Sequence, residues 1–237
     1  MYRFVLIAFL SIFLTACSHQ SVSIQLAEEF EQEASMYPVG GRYGLQINQK
    51  LHLGPYRTSD LSRSGAGTTF LGFFTPIDER HQTTSFKLKK EQSTVAYVSL
   101  ATNVKRLDAS QSFSWIRDFY YSDDLYAGKM SINATEWTFV LDNPHRLALK
   151  QSGGVIFSES DRIIIRQAKL ERDIPEFIKR NIPHSSGFEF LYNDRVIGAV
   201  DTSSSGFVWI FNDLDESMKH VIAAASLAIL VRHDITE

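Results

Sequence analysis

The segment Val221 to Val231 (VIAAASLAILV) carries no charged residue on any face. A helix that is apolar all round must be buried in protein or in lipid. Eleven residues rise only about 16 Å as a helix, well short of the roughly 30 Å hydrocarbon core of a bilayer. The segment therefore has to be enclosed by protein, and the rest of the chain has to supply the enclosure. Its flanks read as helix ends. Asp213-Leu214-Asp215-Glu216 has the form of a capping box, with Asp213 as N-cap and Glu216 returning to its amide. Arg232 and His233 suit the negative end of the helix dipole. We expect a helix over 214–232.

What precedes it reads as strand after strand. Ser85 to Lys89 places Phe86 and Leu88 on one face and Lys87 and Lys89 on the other. Gln46 to Gly54 also alternates, and Thr94 to Leu100, Glu136 to Leu141, Gly154 to Phe157, Arg162 to Arg166 and Gly206 to Phe211 read as further strands. The clearest hairpin joins Phe188–Tyr192 to Arg195–Val200 through Asn193-Asp194, residues that tolerate the positive φ of a tight turn. Earlier, Ile24 to Ala34 has a weak amphipathic stripe and reads as a short helix with Ser23 as N-cap. Pro38, Gly40 and Gly41 then break the chain, and we place the start of a single β-rich domain there, over 38–237. The loose pattern between Gly65 and Thr84 reads as a long loop. The fold class expected is mainly β (α+β): an antiparallel curved sheet or barrel wrapped around a buried hydrophobic C-terminal helix.

This plan resembles the tubby C-terminal, LURP-one and phospholipid-scramblase-like group, whose barrels enclose a hydrophobic C-terminal helix. The likeness rests on the hairpin FEFLYNDRVIGAV, the strand GFVWIF, the helix ending AILVRHDI and the opening GRYGLQINQKLHLGPYRTSDL. The phosphoinositide-binding basic residues of eukaryotic members have no counterpart here, so that function does not carry over.

The N-terminus has a different character. Met1-Tyr2-Arg3 is short and basic, and Phe4 to Leu14 is an apolar run interrupted only by Ser11, the length of a signal h-region. Leu14-Thr15-Ala16-Cys17 then resembles the lipobox of bacterial lipoproteins. That resemblance implies a signal peptide over 1–16, acylation of Cys17 and a tether with a short helix over 17–37. Two or more acyl chains make desorption negligible, at about 0.8 kcal/mol per buried methylene. Ser18 rather than Asp follows the cysteine, which by the same resemblance favours the outer membrane. Cys17 is the chain's single cysteine, so no internal disulfide can form.

Composition excludes more than it assigns. With 44% hydrophobic and 22% charged residues the chain has enough apolar material for one substantial core. Its formal net charge is −3, and loss of a leader whose only charge is Arg3 leaves the remainder one unit more acidic. With no Lys/Arg block, nothing suggests a nucleic-acid partner.

Asp201-Thr202-Ser203-Ser204-Ser205-Gly206 after an apolar strand is similar to one active-site loop of pepsin-like proteases. Those enzymes need two such carboxylates, and one copy is present. The competing reading is a turn whose Asp and Ser bond their own backbone. His52, His81, His145, His184, His220 and His233 are isolated from one another, so no metal site or cofactor is expected. Asp123-Asp124 reads as a solvated turn, and Ser64-Gly65-Ala66-Gly67-Thr68 lacks the lysine of a P-loop. Phe113, Trp115, Phe119, Tyr120, Tyr121 and Tyr126 could stack on sugars. The shared parity of Phe113, Trp115, Phe119 and Tyr121 favours a core-facing strand instead.

The expected function is that of a lipid-anchored envelope lipoprotein, facing the periplasm, with a non-catalytic binding or structural domain. Its partners would be the membrane, through Cys17, and an envelope protein, glycan or lipid. The alternative is an envelope hydrolase with Asp201 as its acid.

Overall fold

The computed structural model describes residues 24–42, 49–64, 83–104, 125–142, 153–170 and 187–236. Strands β1 to β5 are Ile24–Gln25, Ala34–Gly40, His52–Leu53, Tyr56–Thr58 and Ser62–Ser64. Strands β6 to β9 are Thr83–Lys90, Ser93–Val104, Leu125–Ile132 and Thr135–Asp142. Gly153–Phe157, Arg162–Gln167 and Lys169–Leu170 form β10 to β12; Gly187–Tyr192, Arg195–Asp201 and Phe207–Phe211 form β13 to β15. The helices are α1, Glu28–Glu33, and α2, Glu216–Thr236.

The sheet closes on itself. Its order runs β4-β3-β2-β15-β14-β13-β11-β10-β9-β8-β7-β6, and β6 pairs back onto β4, so twelve antiparallel strands form a barrel. Both β4 and β5 lie along β6: Tyr56–Thr58 opposes Leu88–Lys90, and Ser62–Ser64 opposes Thr83–Ser85. Together they act as one interrupted strand. Outside the ring, β1 pairs with β12.

The apolar helix runs through the barrel. It packs against β7 and β8 on one side and β14 and β15 on the other, pairs of strands half a circuit apart in the ring. Every residue from Val221 to Val231 is buried. Two glycines let the wall come this close. A Cβ on Gly198 would lie 2.5 Å from the Ile222 side chain. One on Gly206, whose φ of +96° already favours glycine, would lie 2.7 Å from Leu230. At the far end of the helix the buried Tyr126 hydroxyl donates to the Ala228 carbonyl at 3.1 Å, and the Arg232 guanidinium stands over the Tyr126 ring. Burial pushes the Tyr126 phenol well above its ordinary range, which keeps it a neutral donor.

Several local expectations need correction. The helix cap is Asp215, not Asp213: its carboxylate accepts from the Met218 amide at 2.8 Å, and the helix begins at Glu216. After β15 ends at Phe211 the chain uses Asn212 to Leu214 to turn back into the lumen, so a helix cannot start at 214. It also runs past 232 to Thr236. The helix expected over 24–34 shrinks to Glu28–Glu33, with no side-chain cap at Ala27. Its two ends are taken by strand pairing, Ile24 against Leu170 and Ala34 against Phe211. Pro38 does not break the chain but lies within β2, opposite Phe207. Since β3 pairs with β2 only at Val39 and Gly40, Ala34–Pro38 has a described strand partner on one side alone. A missing N–H is tolerated at such an edge.

Candidate functional site

The lumen offers little to a ligand. Thr84, Phe86 and Leu88 of β6, Ala96, Val98 and Leu100 of β7, and Met130 and Ile132 of β8 are buried on the helix side of the wall. Phe188, Phe190, Val200, Val208 and Ile210 close the opposite side. Among the described residues no helix is long and apolar enough to cross a membrane, and no group of His, Cys, Asp and Glu could hold a metal ion.

Asp201 is wholly buried. One carboxylate oxygen accepts from both the Ser203 amide, at 2.8 Å, and the Ser203 hydroxyl, at 2.6 Å. Arg42 ties the loop down, donating to the carbonyls of Thr202 and Ser204 at 2.9 Å each. With Ser204 and Gly206 at positive φ, this is a turn in which an Asp side chain satisfies nearby donors. Chemistry on a substrate would require a carboxylate that water or substrate can reach.

Of the histidines, His52 is exposed on β3 and His220 is buried in the first turns of α2, edge-on to Tyr56 at 5.8 Å between ring centroids. Both ring nitrogens of His220 lack a hydrogen-bond partner among the described residues. Burial lowers its pKa against the opposing pull of Glu216, whose carboxylate is 3.8 Å away and is itself paired with Lys90. Cys17, His81, Asp123, Asp124, His145, His184, the loop expected between Gly65 and Thr84 up to residue 82, and the aromatic run from Phe113 to Tyr121 lie outside the described residues. So does the side chain of His233. Tyr126, which does not share the parity of Phe113, Trp115, Phe119 and Tyr121, faces the core.

Sequence reasoning passed over the outer face of β6 to β9. Apart from Thr84 and Gly128 the inward positions of these strands are apolar, so the alternate positions look out. They form two rows across the strands. Ser62, Ser85, Ser99 and Lys129 are successive cross-strand partners, and so are Lys87, Tyr97, Ser131 and Glu136. The link between β4 and β5 forms a side wall: Ser59 donates its amide to the Lys87 carbonyl at 2.8 Å, and its hydroxyl accepts from the Lys87 amide at 3.0 Å. The result is a groove of about 480 Å³, inside the roughly 300–1,000 Å³ range of small-ligand sites. Tyr97 stands in it 55% exposed, with the Lys87 ammonium 5.4 Å from its ring centre. The groove could have been found in the sequence from the outward residues of Ser85–Lys89 and Thr94–Leu100, but only once their register was known.

No family model, curated protein or solved structure matches this chain.

Proposed function

We propose that this chain is a lipid-anchored lipoprotein of the bacterial cell envelope whose barrel is a non-catalytic binding module. The anchor is the acylated Cys17 in the outer membrane, and the barrel faces the periplasm. The observation that carries the binding reading is the occupied lumen. A barrel whose interior is occupied by its own helix meets ligands with its outer face, and the packed side chains described there disfavour lipid carriage inside it. The buried, hydrogen-bonded carboxylate of Asp201 supports the same reading over an envelope hydrolase. Kinship with the tubby-like and scramblase-like group belongs to the same proposal, supported by a barrel closed around a C-terminal helix.

Six residues separate Cys17 from Ile24, at most about 25 Å of extended chain. The barrel would therefore ride close to the bilayer. Cys17→Ser should abolish incorporation of labelled palmitate and move the protein from the membrane fraction to the soluble one. Continued labelling of that variant, or its retention in the membrane, contradicts the anchor.

A further inference from the structure

We infer that the groove around Tyr97 is a binding site for an uncharged carbohydrate chain, an assignment that rests on the reading of the barrel as an envelope binding module. Three observations favour a sugar. First, Met36 and Tyr97 are the large apolar side chains that stand exposed among the described residues, and Tyr97 lies in this groove. An exposed aromatic ring offers a face to the C–H side of a pyranose. Second, Ser62, Ser85, Ser99 and Ser131 set hydroxyls along cross-strand rows about 4.8 Å apart. Each can both donate to and accept from a sugar hydroxyl. Third, the charges balance. Among the described lining residues two lysines, Lys87 and Lys129, stand with two acids, Asp60 and Glu136; Lys129 pairs with Glu136 at 3.4 Å, and Asp60 pairs at 3.3 Å with Lys50 outside the lining. A described lining without net charge gives phosphate or carboxylate ligands no electrostatic advantage.

A protein partner fits less well. Protein interfaces bury roughly 20–30 residues a side around a cluster of aromatic or aliphatic anchors, whereas this groove has twelve lining residues and one exposed ring.

The test uses the full-length chain in micelles of a detergent without a sugar headgroup. It is titrated with a β-1,4-linked N-acetylglucosamine hexamer and, separately, with an uronic-acid oligomer of equal length. The neutral hexamer should bind saturably. Tyr97→Ala should weaken it about tenfold, the scale of one lost ring contact, and Tyr97→Phe should restore it. Since Tyr97 is exposed, the melting curves of both variants should overlay the parent's. No binding of the hexamer up to about 10 mM overturns the site. So does binding that ignores Tyr97→Ala, equal affinity for the acidic oligomer, or a protein crosslinked from position 97 in cells when no sugar binds. Cleavage of the hexamer would support the site while overturning the non-catalytic reading, so the two fail separately.

Discussion

At the scale of single residues, His220 shows what enclosing this helix requires. The ring is 6% exposed, edge-on to Tyr56, with neither nitrogen hydrogen-bonded among the described residues. Desolvation depresses its pKa, Glu216 and Asp215 oppose that, and Lys90 adds to it. The unfolded chain, with an ordinary value of about 6.5, therefore takes up the proton first as pH falls. The stability tied to a neutral His220 is complete above about pH 6.5 and is lost as pH falls through the folded value. His220→Phe keeps an aromatic ring against Tyr56 and removes the titration. Denaturant unfolding between pH 8 and 5 should show a shallower loss of stability on acidification for the variant than for the parent. Equal slopes would mean that the ring is hydrated or paired in the folded protein. Glu216 titrates lower, since its hydrogen bond to Lys90 holds its carboxyl below the ordinary value, so its contribution is lost further into acid.

At the scale of elements, the helix and most of the barrel wall were legible because their signals are local. An all-apolar run needs enclosure, and strands such as Ser85–Lys89 declare one apolar face by parity. The Asn193-Asp194 hairpin also appears as read, with φ of 50° and 63° at its two turn residues. Strand β8 was not legible, because one of its inward positions is Gly128. A Cβ there would lie 2.0 Å from the Ser99 carbonyl oxygen, so the tight contact that demands glycine also erases the apolar mark. Its hairpin to β9 turns through Asn133-Ala134, with alanine at φ 66° where glycine would have advertised the turn. Strand β2 was hidden behind Pro38, whose tolerance depends on an edge that only the assembled sheet defines. The helix's burial gives a direct test. Ala224 is fully buried, so Ala224→Asp places an unpaired charge among apolar neighbours at a cost of about 3–5 kcal/mol. Against a total stability on the order of 5–15 kcal/mol, that removes much of the margin. Glu29→Ala on exposed α1 should stay within about 0.5 kcal/mol of the parent. Unfolding of the full-length chain in micelles measures both, and a parent-like Ala224→Asp would place the helix outside the core.

At the scale of the whole molecule, the groove was the least legible part. Its residues come from β5 to β9 and the link before β5, and none forms a motif within its own strand. Only cross-strand register aligns Lys87, Tyr97, Ser131 and Glu136. The Asp201 loop, by contrast, stood out in the sequence because its residues are contiguous, and it is the loop that turns its polar groups on itself. Both findings depend on one architectural fact, that the barrel is filled by its own C-terminal helix. Amide hydrogen exchange on the full-length protein tests that most directly. If the helix is the barrel's core, peptides covering Val221 to Val231 open only with global unfolding, and their protection equals that of peptides from β7 and β9. Helix amides that exchange orders of magnitude faster than those strands, while the strands stay protected, would contradict it.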